Sequence, residues 1–407
     1  MPLLNYSFLT KILPKAKIKK VFRNAKLSYL NRVRLATSLF FFGMGFSFAT
    51  WASRIPDFKT MLNLSEADLG TMLFALPIGQ LFAMPFSGKI VTKYGSRAIT
   101  ILGLLTYSAC LPLLGFATLS WQLAVGLFLF GFFGNFCNIA VNTQGVYTQQ
   151  LFSKPIMGSF HGSWSLAGFS GALLGLLMLT LNLNPLQHFT IAFVIVCLII
   201  LFNYKFIIKA KSKTTEEKTS YSFFKNPDTT LLWLGVICFC CMASEGIMFD
   251  WSGVYFKEIV KAPGALVVLG YTSFMISMAS GRFLSDILVH KYGAKKVLII
   301  SGIVISFGLY LAVLLPYLIP CTIAFMLVGF GVSNVVPIIF NAAGNVKNVP
   351  TGIALTIVTS ISFLGFLIGP PLIGFIAEMT SLQYSFAFIG IFGVFISILV
   401  SRLKVFR

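Results

Sequence analysis

The chain has 407 residues, of which 57% are hydrophobic and 10% charged, and its mean hydropathy is +0.89. A soluble domain of this length needs far more polar surface, so the composition excludes one and points to a protein that crosses a membrane many times. The formal net charge of +20 would suggest nucleic acid in a soluble protein. Here the basic residues gather in alternate connections, as cytoplasmic loops require, and no nucleic-acid partner is expected.

Residues Lys11–Arg34 carry nine Lys/Arg and no acid. The apolar run that follows shows no small-residue cleavage site and precedes further spans, so it is expected to be retained. The basic segment 1–33 is then cytoplasmic, beside anionic lipid. About 20 apolar residues cross a bilayer. That rule predicts twelve helices, over 34–58, 67–91, 97–117, 119–147, 156–181, 188–208, 229–257, 265–290, 295–315, 319–343, 350–377 and 382–403. With the N-terminus inside, only Arg54, Lys59, Lys257 and Lys261 of the 31 basic residues fall in external loops. The rest fall in cytoplasmic loops or at cytoplasmic helix ends. The asymmetry predicts a multi-pass protein of the bacterial inner (plasma) membrane with both termini in the cytoplasm.

Residues 209–228 form the one long polar break and divide the spans six and six. This gives bundles at 34–208 and 229–407 joined by a cytoplasmic linker. The halves also match each other. Lys93-Tyr94-Gly95 recurs as Lys291-Tyr292-Gly293, Leu69-Gly70 as Leu269-Gly270, and Trp51 as Trp251. Two related six-span units imply a site at their interface and alternating access by rocking. The seven cysteines all lie in apolar spans without metal-ligand spacing, so they are read as small packing residues. No metal or cofactor is expected.

The seventh span holds two carboxylates, Glu245 and Asp250. An ionised side chain in hydrocarbon is costly, so such residues face a cavity or a partner. Gly246 and Ser252-Gly253 are expected to weaken the helix around them. Glu245 lies near the midplane, and no Lys or Arg lies near the midplane of the predicted spans. Protonation is therefore the simpler way to neutralise it, and Glu245 is the first candidate for proton coupling, with Asp250 and His161 behind it. Asp250 is about 140° around an ideal helix from Glu245, so the two share a face only if the helix breaks. Arg54, at the external end of the first span, could pair with Asp250 as an outer gate. It could equally snorkel to the interface.

Asn135, Asn138 and Asn142 fall on one face of the fourth span, with Gln144 beyond. Such a stripe offers donors and acceptors to a hydroxylated ligand, or glues helices together; the cavity-lining reading is favoured. Asn334 and Asn341 stand seven apart on the tenth span. Trp164 and Trp251 are further cavity candidates, although an interfacial anchor is the commoner role of Trp164. Arg282 and Asp286 are spaced to pair along the eighth span, as a conformational lock at its cytoplasmic end. No P-loop is present and the loops cannot hold a nucleotide domain, so an ion gradient or the solute's own gradient drives transport.

The loop Gly281-Arg282-Phe283-Leu284-Ser285-Asp286 with Lys291-Tyr292-Gly293 resembles the loop motif of the major facilitator superfamily, with Thr92 replacing the acid in the first half. Trp51 to Pro56, Asn138 to Asn142, His161-Gly162, Trp164-Ser165, Glu245-Gly246, Asp250-Trp251 and Gly365 to Pro371 resemble the MosC/YbjJ-like transporters of that superfamily. Members often carry an acid where Asn138 stands, which counts against proton coupling through the fourth span here. The resemblance implies an all-α fold of twelve transmembrane helices in two six-helix bundles. It also implies a sugar-like or polyol-like substrate. The expected protein is a secondary transporter of a small polar solute, coupled to protons, and not an enzyme. It is expected to act as a monomer, with solute, protons and lipid as partners. Efflux of amphipathic compounds is the alternative within this class. A non-transporting membrane sensor or assembly protein is the alternative outside it.

Overall fold

In hydrocarbon every backbone N–H and C=O must be satisfied within the segment, so each apolar run folds as a helix. The computed structural model describes residues 15–64, 66–209, 228–263, 266, 269–347 and 349–406. Twelve long helices run through them: α1 (Lys15–Ala52), α2 (Glu66–Tyr94), α3 (Ser96–Gly115), α4 (Ser120–Gln149), α5 (Met157–Thr180) and α6 (Pro185–Asn203). The second half has α7 (Thr229–Glu258), α8 (Leu269–Tyr292), α9 (Ala294–Leu314), α10 (Leu318–Gly344), α11 (Thr351–Met379) and α12 (Leu382–Arg402). A short helix, Ile55–Met61, follows α1. Eleven of the twelve are long and apolar enough to cross a membrane. The other is α8, which carries Arg282 and Asp286.

The predicted spans match these helices closely, apart from the first. The α1 helix begins within the basic segment, and its 38 residues make it roughly 57 Å long. It ends at Ala52, short of the predicted boundary, because the chain turns before Ile55–Met61. The α7 helix is continuous through Gly246 and Ser252-Gly253. The expected interruption is absent, so Glu245 and Asp250 keep their angular separation. Residues 210–227, most of the expected linker, lie outside the described residues.

The internal repeat is built into the packing. In the first half α2 packs on α4, α3 on α4 and α6, and α1 on α5; in the second, α8 packs on α10, α9 on α10 and α12, and α7 on α11. The repeated Lys-Tyr-Gly turns also match. Gly95 and Gly293 cap the helices after them with φ of 83° and 81°, a conformation that favours glycine. Lys93 and Lys291 lie over the rings of Tyr94 and Tyr292 at 5.2 and 5.0 Å.

The halves meet through α2 with α11, α5 with α8, and α4 with α10 and α11. The hydrogen bonds among these contacts lie at one end of the bundles or near their middle. Gln150 donates to Asn345 at 2.8 Å. The carboxylate of Asp286 accepts from the N–H groups of Gly158 and Ser159, each at 2.8 Å, and from the Ser159 hydroxyl. This end carries the Lys-Tyr-Gly turns and is the basic end. At the opposite end no hydrogen bond between two described residues joins the halves, and the related helices α1 and α7 share no extensive packing.

Candidate functional site

Near the middle of the helices, Glu245 of α7 meets Arg282 of α8. Nη2 of Arg282 donates to Oε1 of Glu245 at 3.2 Å. The expected lack of a cation near the midplane is therefore corrected. Arg282 lies ten residues, about 15 Å, inside the end of α8, not in the basic loop. It does not bond along its own helix to Asp286 either: both side chains reach across to other helices. Nη1 of Arg282 donates to the Ser165 hydroxyl of α5 at 2.7 Å, and its guanidinium carbon sits 5.8 Å from the Trp164 ring centre. One arginine thus touches both bundles, tying an acid of the second half to a hydroxyl and an indole of the first.

The pair is buried, with Glu245 5% and Arg282 6% exposed. Taking two charges out of water is repaid only if the remaining donors and acceptors are satisfied. Here they are not: among the described residues, Glu245 Oε2 and Arg282 Nε have no hydrogen-bond partner. The contact is also longer than the 2.7–2.9 Å usual for charge-assisted bonds. The pair is held in place but incompletely satisfied, which suits groups that exchange partners.

Trp164 is half-buried and stacks on Phe48, centroids 6.5 Å apart. His161, one turn before Ser165, lies between the rings of Phe41 and Phe340 at 5.4 and 6.0 Å, and its Nε2 has no hydrogen-bond partner among the described residues. Asn142 and Asn334 are alike. Each donates its amide nitrogen at 2.9 Å to the carbonyl four residues earlier, of Asn138 and Phe330. Each leaves its side-chain oxygen buried and, among the described residues, unbonded. Asn138 is half-buried beside Asn142.

Asn135 and Gln144 are corrected by their surroundings. Asn135 accepts from Ser87 of α2 at 2.6 Å and joins two helices of one bundle. Gln144 donates to Ser96 at 2.8 Å and to the Ile208 carbonyl at 3.0 Å, and accepts from the Ile208 N–H. Both side chains are glue, not lining. Asn341 accepts from Asn345 at 2.7 Å through its backbone carbonyl and lines a cavity of about 310 Å³ at the basic end with Gln149 and Asp286. Trp251 is half-buried beside Gly374, about 3.4 Å from where that residue's Cβ would stand.

Arg54 does not snorkel to the interface. It is 2% exposed and bonds within the first half: Nε to His188 Nδ1 at 3.0 Å, Nη1 to Asp57 at 2.5 Å and Nη2 to the Leu183 carbonyl at 2.8 Å. The side chain of Asp250 lies outside the described residues. Sequence reasoning missed His188. Its signal was a histidine in an apolar run just after Asn184-Pro185, but nothing local links it to Arg54. Ser165 was noted only as part of a motif.

The model of the Major Facilitator Superfamily matches residues 35–347 and 269–405. An uncharacterized MFS-type transporter of Yersinia pestis is 33% identical over 358 residues, covering 88% of this chain and 92% of that protein. The membrane protein MosC of Rhizobium meliloti is 28% identical over 365 residues, covering 89% and 88%. The transporter FucP, solved in its outward conformation, superposes with a TM-score of 0.77 at 17% identity, covering 92% of this chain and 99% of FucP. A second structure of FucP, described as the E. coli fucose:proton symporter, gives 0.72 at 17% identity, covering 92% and 98%. The twelve helices in two repeated bundles are thus the major facilitator fold, and this chain, a transporter resembling MosC, belongs to the Major Facilitator Superfamily.

Proposed function

We propose that the protein is a secondary active transporter that moves a small polar, sugar-like or polyol-like solute by alternating access, coupled to protons through Glu245. The observation that carries this reading is the Glu245–Arg282 pair, buried at mid-depth and reaching Ser165 and Trp164 of the other bundle. A titratable acid bonded to the cation that spans both bundles can link protonation to their rocking. Closure at the basic end, with that end on the cytoplasmic side, makes this an outward-open arrangement. The similarity to FucP supports a polar solute and a proton as cargo. Asn142 and Asn334, with their free acceptor oxygens, suit hydroxyl donors better than amphipathic drugs.

The test is uptake into proteoliposomes of radiolabelled hexoses, inositols, hexitols and sugar acids. At least one class should accumulate under an inward proton gradient, and a protonophore should abolish the accumulation. Equilibration without accumulation for every class transported would instead make the protein a uniporter.

A further inference from the structure

Arg282 is a permanent cation: a guanidinium does not release its proton in a protein. Its counter-ion is Glu245, held by one long bond at 3.2 Å. Nε and Nη2 form the edge of a guanidinium that a carboxylate grips with two parallel bonds. Among the described residues that edge of Arg282 is half used, with Nη2 on Glu245 and Nε unbonded.

Protonation of Glu245 leaves the guanidinium without a counter-charge. The guanidinium is only 6% exposed, so little water screens it, and an uncompensated buried charge is strongly disfavoured. A neutral solute cannot supply the missing charge. An anionic solute can.

We infer that the transported solute carries a carboxylate, which takes the Nε–Nη2 edge of Arg282 as Glu245 becomes protonated and lets go. The substrate class is a small hydroxylated carboxylic acid such as an aldonate or a uronate. The inference rests on the proposal that Glu245 takes up the coupling proton. Its consequence is electroneutral transport: one proton and one monoanion move together, so a pH gradient drives accumulation and a membrane potential does not.

The groups facing the pair are few. Arg282 and Tyr271 approach Glu245 from α8, and Cys238 and Cys241 lie near it on its own helix. His161 of α5 faces Arg282. Among the described residues, the helices α10, α11 and α12 bring no charged side chain to Glu245.

The test uses matched ligands that differ mainly in charge, gluconate with sorbitol and galacturonate with galactose. Thermal shift titrations of the purified full chain are run at about pH 5.5 and about pH 7.5. In the wild type at least one acid should bind about tenfold more tightly than its neutral partner, and more tightly at the lower pH. In Glu245→Gln the preference should persist and lose its pH dependence. In Arg282→Gln it should vanish. Arg282→Lys, which keeps the charge and lacks the fork, should retain only part of it. Equal binding of acid and neutral partners, or no binding of either acid to wild type and Glu245→Gln, overturns the inference. A neutral sugar that the wild type concentrates under a pH gradient, and Glu245→Gln does not, would sink it while leaving the coupling role of Glu245 intact.

Discussion

Arg54 uses all three of its guanidinium nitrogens, on His188, Asp57 and the Leu183 carbonyl. The arrangement ties the end of α1 to the start of α6 and to the turn before it. Arg54→Ala leaves the buried His188 and the Leu183 carbonyl without their donor, and should lower stability by about 2–3 kcal/mol. Arg54→Lys should recover little, because an ammonium cannot reproduce the fork. Thermal unfolding in detergent measures both; a wild-type melting temperature for Arg54→Ala would return Arg54 to the role of a gate. At this scale the residues that matter were legible and their partners were not. Glu245, Arg54 and His161 stand out in sequence because a polar side chain in an apolar run needs a reason. Arg54 and His188 are 134 positions apart, and Arg282 and Glu245 are 37 apart on different helices, so only packing brings them together.

At the basic end Asp286 of α8 caps α5 across the interface between the halves, accepting from Gly158 and Ser159 in the first turn of that helix. A carboxylate there is favoured by the helix dipole as well as by the hydrogen bonds. Asp286→Asn removes the charge and should weaken closure by about 1 kcal/mol, raising the population open at the basic end about fivefold. Pulsed electron resonance between spin labels at Lys93 and Lys347, on α2 and before α11, should then show a longer-distance component. An unchanged distribution would mean that the contact follows closure without holding it. On α4, Gln144→Leu should lower the melting temperature yet leave solute affinity within about twofold, since its bonds run to Ser96 and Ile208; a large loss of affinity would put Gln144 back in the cavity. The helices themselves were readable from sequence, because an apolar run of bilayer length has one way to satisfy its backbone. The amides were not. Asn135, Asn142 and Gln144 share a sequence neighbourhood, and neighbours on other elements decide which is glue.

Across the whole molecule the two halves repeat their packing, and close on each other at the basic end. The internal repeat and the six-and-six division were legible because the Lys-Tyr-Gly turns recur with their positive-φ glycines. Which end is closed was not, because both arrangements bury nearly the same residues within each bundle. The basic asymmetry predicts that a cysteine at Lys213 reacts only from the cytoplasm and one at Leu62 only from outside; external labelling at Lys213 would reverse the orientation. The central claim is that Glu245, bonded to Arg282 between the bundles, carries the coupling proton. Uptake and exchange by Glu245→Gln in proteoliposomes test it most directly, because glutamine keeps the volume and mimics the protonated acid. The account predicts that the variant still exchanges labelled solute across the membrane but no longer concentrates it under a pH gradient. Accumulation by Glu245→Gln at the wild-type rate would contradict the account.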